Sequence, residues 1–353
     1  MNKTVVVDFS NLDDMSGFGE IARNYCPRLA AVSEPGLHFI FIVPERHRGE
    51  FGDHISYVSR ENLKADIAPY RQQIALWHAT HQQFRYRLHR KGIVQLLTVH
   101  DLNYLHEKHG IHLLRHQIEM PWMIRRSDAV TVISNYVKHD VETHIPFQNK
   151  ELRVIYNGIS DVERMPQSRP PFASADDAAP FFLCIGQVRE KKNIHTLIPM
   201  MRHFPRHRLF ICGANHWSYA DTLRAMIAPV DSNRIVLTGK VSDAEKCWLY
   251  AHAEALLFPS RLEGFGIPVL EAMRFGTKVF SSRYSCLPEV CATHATYWDS
   301  FEPEAMARTV TDGLASWSRD SEAAQAARAY SQSFNYDRYT RQYISLYRQL
   351  LHL

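Results

Sequence analysis

The chain has 353 residues, 45% hydrophobic and 22% charged, with a formal net charge of +4. That length suggests about two domains, and the mild positive balance excludes a dedicated nucleic-acid binder while suiting anionic ligands or an anionic surface. The six cysteines form no Cys-x-x-Cys pair, so reduced, structural thiols and a cytosolic setting are expected.

The N-terminal "MNKTVVVDFSNL" reads as a first β-strand rather than a signal peptide, because its apolar run is short. Further buried strands are expected at "HFIFIV", "ALWHA", "VQLLTVHD", "AVTVIS" and "LRVIYNG", with helices over 19–31 and 112–126. Five histidines crowd positions 100, 106, 109, 112 and 116. His112 and His116 are spaced like metal ligands on a helix, but no His-Glu-x-x-His pattern accompanies them, and a polar surface is the preferred reading.

At "MPQSRPPFASADDAAP" the pattern loses its period, which predicts a linker over 168–179 between an N-terminal domain, 1–167, and a C-terminal domain, 180–336. A second set of strands follows at "PFFLCIGQ", "HRLFICGAN", "NRIVLTG", "AEALLFPS" and "TKVFSS". Strands alternating with helices imply an α/β fold of two doubly wound, Rossmann-like domains, with ligands at the carboxyl ends of the strands and in an interdomain cleft. The last helix, about 337–353, carries Tyr339, Tyr343, Leu346 and Leu350 at helical spacing and is expected to pack back on the first domain. No segment approaches the roughly 18 apolar residues that would span a membrane.

"FPSRLEGFGIPVLEAMRFG", residues 258–276, sets Glu263 and Glu271 around a Gly-Phe-Gly turn. A strand before it and a helix from Ile267 would aim the N–H groups of Gly264, Phe265 and Gly266 at a helix N-terminus, an anion site. Carboxylates accept hydrogen bonds from sugar hydroxyls, so a sugar–phosphate–ribose ligand fits. A capped surface helix with solvated acids fits the spacing equally well.

The same stretch resembles the Glu-x7-Glu motif of retaining glycosyltransferases of family 4, in the GT-B superfamily. "FFLCIGQVREKKNIHTLI" and "CLPEV" are similar to that family's second domain. "SGFGEIARN", "TVHDL", "AVTVISNYVKHDV" and "VIYNGI" are similar, more loosely, to its first. The resemblance implies the GT-B fold and metal-independent transfer of a hexose from a nucleotide sugar, with no cofactor and with retention at the anomeric carbon. It implies donor binding in the C-terminal domain. Glu271 would bond the ribose, Glu263 the hydroxyls of the transferred sugar, and Gly264, Phe265 and Gly266 the sugar and phosphates. Lys192 would sit on the diphosphate, where fixed positive charge lowers the barrier to leaving, and Asn193 would shape its turn. Many members carry an arginine directly after the glycine of this loop. Gln187 stands there instead, with Arg189 in reach of the phosphates. His100 would lie beside the donor sugar, and Gly17 and Gly19 would let the first helix approach the phosphates.

"FRYRLHRKG" mixes Arg85, Arg87, Arg90 and Lys91 with apolar residues, and Phe84–Lys91 is expected either to be solvated or to touch an anionic membrane face. The expected function is assembly of a bacterial surface polysaccharide such as lipopolysaccharide. A saccharide or lipid-linked acceptor is expected, and GDP-mannose is favoured over UDP-hexoses. A nucleotide-sugar epimerase on the same fold and a non-catalytic carbohydrate-binding protein are the alternatives. A nicotinamide dehydrogenase is disfavoured, because no Gly-x-Gly-x-x-Gly follows the first strand.

Overall fold

The computed structural model describes residues 2–14, 16–82, 86, 88, 90–146, 150, 152–173 and 179–353. Two compact units emerge: residues 1–158 with 334–353, and residues 159–333. Of the basic segment 84–91, Phe84, Arg85, Arg87 and His89 lie outside the described residues.

The first unit holds a seven-stranded sheet of β1 (Lys3–Asp8), β2 (Leu37–Val43), β3 (Ser56–Ser59), β4 (Ile74–Ala79), β5 (Val94–Val99), β6 (Ala129–Val132) and β7 (Leu152–Val154), ordered 3-2-1-4-5-6-7. Every pairing in it is parallel. Parallel strands are covered on both faces, which is why they read as apolar runs rather than alternations. The short, partly polar β3 escapes that signal. The second sheet is β8 (Phe181–Ile185), β9 (Arg208–Cys212), β10 (Ile235–Gly239), β11 (Ala255–Phe258), β12 (Lys278–Ser281) and β13 (Thr296–Tyr297), ordered 10-9-8-11-12-13 and also parallel. Each sheet reverses its winding once, between β1 and β4 and between β8 and β11. Loops at the carboxyl ends of those strands diverge and leave room for a ligand.

Side-chain caps start the helices that follow. Ser16 caps Gly17–Ala30, Ser134 caps Asn135–His144, and Ser242 with Glu245 forms a full capping box on Asp243–His252. The last helix, Tyr336–Leu351, belongs to the first unit. Its Tyr336, Tyr339, Tyr343 and Tyr347 join Val5, Val7, Tyr25 and Phe41 in one core. Buried phenols need partners. The Tyr343 hydroxyl lies 2.9 Å from Thr98 Oγ1 and 3.0 Å from Thr131 Oγ1, and that of Tyr347 lies 2.8 Å from Tyr25 and 2.7 Å from His78 Nδ1.

The chain joins the second unit well before residue 180. Arg274, only 2% exposed along its side chain, pairs with Asp161 (3.2 Å) and Glu163 (2.9 Å), and the Ser168 amide donates to the Ala244 carbonyl. All six cysteines are buried and unpaired. Among the described residues no helix is long and apolar enough to cross a membrane.

Candidate functional site

In the second unit, the reversal between β8 and β11 brings together residues 71 positions apart. The loop after β8 ends in a short 3-10 turn, Glu190–Lys192, and the loop after β11 carries Glu263. The Arg261 amide donates to the Lys191 carbonyl (2.8 Å), locking the two loops together. As a result Lys192 Nζ sits 2.5 Å from Glu263 Oε1, with both side chains largely shielded and the ammonium 5.3 Å above the Phe258 ring. Asn193 adopts the left-handed conformation (φ 56°), which ends one 3-10 turn and begins the next. Its role here is to set the turn that aims Lys192. Arg189 lies over the Trp217 ring at 5.4 Å, and Gln187 is exposed beside it.

Gly264, Phe265 and Gly266 lead into the helix Ile267–Arg274, which has Pro268 in its first turn and no side-chain cap at its N-terminus. Gly266 has φ 96°, and a Cβ there would stand 2.9 Å from Leu287 Cδ2, so the turn requires glycine. Phe265 is buried and anchors the turn. The Glu263 amide donates to Ser285 Oγ at 3.0 Å, fixing the backbone from the other side.

Glu271 is only 2% exposed. Lys246 Nζ approaches its Oε1 at 2.7 Å, and the Tyr250 hydroxyl donates to its Oε2 at 2.8 Å. Lys246 and Tyr250 come from one face of the neighbouring helix, four residues apart. A buried carboxylate is tolerable when paired and hydrogen-bonded in this way.

The first unit has its own reversal, between β1 and β4. Gly17 and Gly19 open the helix after β1. A Cβ on Gly19 would lie 1.8 Å from the Asp14 carbonyl oxygen, whereas one on Gly17 would meet nothing within 4 Å. Only the second glycine is a steric necessity. Phe18 between them stacks on His81 (5.1 Å) and meets His100 edge-on (4.8 Å). His81 follows β4 and lies 3.2 Å from the buried Asp8 and 3.1 Å from Asn11 Nδ2.

His100 follows β5 and is buried, with its Nε2 2.8 Å from the Thr80 carbonyl oxygen. A carbonyl only accepts, so Nε2 carries the proton and Nδ1 keeps the lone pair. Burial pushes the imidazole down to about 4, the Thr80 bond opposing this and the nearby His81 adding to it. His100 is therefore a neutral hydrogen-bonding group at neutral pH. Asp101 spends one carboxylate oxygen on the Asn103 amide (3.1 Å), a local turn. Farther on, His112 is exposed and His116 stacks on Tyr104.

The structure thus joins Lys192 with Glu263, and His100 with the Gly17–Gly19 turn. Sequence reasoning missed Lys246 and Tyr250 on Glu271, and Asp8, Phe18 and His81 in the first unit. His81 was findable, since it stands just past a strand that borders the sheet reversal.

The pattern "Glycosyltransferase Family 4" matches residues 22–163, and "Glycosyl transferases group 1" matches residues 168–332. The O-antigen chain mannosyltransferase RfbU of Salmonella typhimurium is 27% identical over 207 residues, 58% of this chain and 56% of that protein. The lipopolysaccharide core biosynthesis mannosyltransferase LpcC of Rhizobium leguminosarum is 32% identical over 197 residues, 52% of each. The chain spans about half the length of the curated relatives it matches. HepE of Anabaena, solved with UDP and glucose, superposes with a TM-score of 0.73 over 99% of this chain and 100% of that one, at 15% identity, a likeness of fold. Two parallel, doubly wound sheets, and family patterns that tile nearly the whole length, place the chain in family 4 of the glycosyltransferases, with the GT-B fold.

Proposed function

We propose that the protein is a retaining, metal-independent hexosyltransferase. It would move a sugar, mannose before others, from a nucleotide donor to a saccharide or lipid-linked acceptor during synthesis of a bacterial surface polysaccharide. The observation that carries this reading is the Lys192–Glu263 pair at the sheet reversal, beside an uncapped helix N-terminus. A departing nucleoside diphosphate accumulates negative charge. Lys192 can exchange its carboxylate partner for a phosphate oxygen, and the freed Glu263 can then accept from sugar hydroxyls. Glu271 would receive the ribose, and Gly264–Gly266 the phosphates. Gln187 and Arg189 border the same loop. His100 would offer Nδ1 to a sugar hydroxyl. The mannosyltransferase names of several relatives favour mannose and hence GDP as the carrier. The fold likeness to a protein solved with UDP and glucose supports UDP-hexose as the second reading. The site of action would be the cytoplasmic side of the cell membrane, with the segment 84–91 as one contact.

Thermal unfolding with GDP, UDP, ADP and dTDP and their common sugars tests the reading. A nucleotide at 100 times its dissociation constant stabilises by about 2.7 kcal/mol. A shift for one base, lost in Lys192→Ala, supports the donor site and names the carrier. No shift with any nucleotide removes the donor assignment and moves the carbohydrate-binding alternative forward. Conversion of the donor without any acceptor favours the epimerase.

A further inference from the structure

We infer that the outer face of the helix Gly110–Arg125 docks on an anionic lipid surface. Among the described residues nine large apolar side chains are exposed, and four of them stand on this helix: Ile111 (77%), Leu114 (56%), Ile118 (64%) and Trp122 (50%). Chance scatter does not give their spacing. At about 100° per residue, positions 111, 114, 118 and 122 fall in one stripe about 80° wide, and at 1.5 Å per residue it runs about 16 Å. The helix already buries its opposite face through Met120, Met123 and Ile124. It is therefore apolar on two sides, and among the described residues only one side is covered.

Charge selects the occupant. Residues 108–126 carry Lys108, Arg115, Arg125 and Arg126 against a single acid, Glu119, which Arg115 holds at 2.8 Å. The cations stand at both ends of the apolar stripe and along its edge. Arg126 lies over the Trp122 ring at 4.8 Å. An indole with a guanidinium beside it suits the headgroup level of a bilayer, where the ring is half wet and the cation meets phosphate. A convex apolar stripe rimmed by cations needs no shaped partner, only a surface that is apolar below and anionic above. The helix follows the loop that carries His100, so docking would bring the carboxyl end of the first sheet toward the lipid. Membrane contact at 84–91 and contact here are separate claims on separate elements.

The test is co-sedimentation of the full chain with vesicles of mixed phosphatidylglycerol and phosphatidylethanolamine, against vesicles of phosphatidylcholine. The wild type should bind the anionic vesicles at least about tenfold better, and added salt should weaken that binding. Ile118→Asp combined with Trp122→Ser should lower it by about tenfold or more, and so should Arg125→Glu combined with Arg126→Glu. All these side chains are exposed, so each variant should stay folded, Arg125→Glu giving up only the Nε bond to the Pro146 carbonyl at 3.2 Å. Wild type that ignores anionic vesicles overturns the inference, as do variants that bind them unchanged. Light scattering supplies the remaining outcome: a dimer that Ile118→Asp splits, with vesicle binding intact, assigns the face to a second copy and overturns the lipid reading. Lipid binding is read without a donor and nucleotide binding without vesicles, so either proposal can fail alone.

Discussion

The two sheet reversals share one topology and differ in chemistry. In the second unit the reversal holds a charged pair, Lys192 and Glu263, and backbone donors behind glycines. In the first it holds rings and imidazoles around one buried carboxylate: His100 with a fixed proton, Phe18 across two imidazoles, and His81 against Asp8. The topology supplies a crevice, and the residues at the strand ends decide what fills it. A lysine beside backbone donors suits a diphosphate, and a crevice lined with rings and hydrogen-bonding imidazoles suits a sugar.

The largest test of that contrast is Lys192→Ala. Removing the positive charge proposed to face the leaving diphosphate should lower kcat by about 10²–10³-fold, measured by initial rates with the donor that thermal shift selects. A loss below tenfold would erase the proposed distinction between the crevices.

Acid should separate the units next. Burial pushes His78 down to about 3 and His100 to about 4, from 6.5. Below pH 6.5 the unfolded chain binds protons that the folded first unit refuses. Stability is therefore fully present above that pH and falls as the pH drops toward 4, by about 2 kcal/mol per histidine at pH 5. In the second unit His195 and His294, also pushed down by burial, are only half-buried. Hydrogen exchange at pH 7 and pH 5 should show β4 and β5 losing protection before β8 and β11. Equal losses would show that the buried imidazoles do not set the acid limit.

Glu271→Ala should destabilise by about 1–3 kcal/mol, because Lys246 and the buried Tyr250 lose their carboxylate partner. Urea unfolding reads this without any ligand. An unchanged midpoint would mean that the carboxylate serves the donor alone.

The smallest contrast compares two glycines. Gly19→Ala drives a methyl into the Asp14 carbonyl and should destabilise by about 1–3 kcal/mol, while Gly17→Ala, with open space around it, should change stability by less than about 0.5 kcal/mol. Thermal melts of the two variants side by side decide it.

Most of the sheet framework was legible because buried parallel strands announce themselves as apolar runs such as "VVV" and "FIFIV". β3 and β13 were not, being four and two residues long with polar positions. Lys192, Glu263 and the Gly-Phe-Gly turn were legible because charge and glycine cluster locally at a strand end. The partners of Glu271 were not. Lys246 precedes it by 25 positions on a different helix, and no local pattern encodes that packing. Likewise Asp8 and His81 become neighbours only because β1 pairs with β4.

The division of the chain has a consequence for its synthesis. The four tyrosines of the last helix complete the core of the first unit, yet about 175 residues of the second unit, 159–333, are translated in between. At about 5–20 residues per second this is a wait of roughly 9–35 s. Throughout it the nascent seven-stranded sheet presents an apolar trough where Tyr339, Tyr343 and Tyr347 will sit. The core of the first unit is therefore closed only after the second unit has been made, and that trough is where a chaperone would bind.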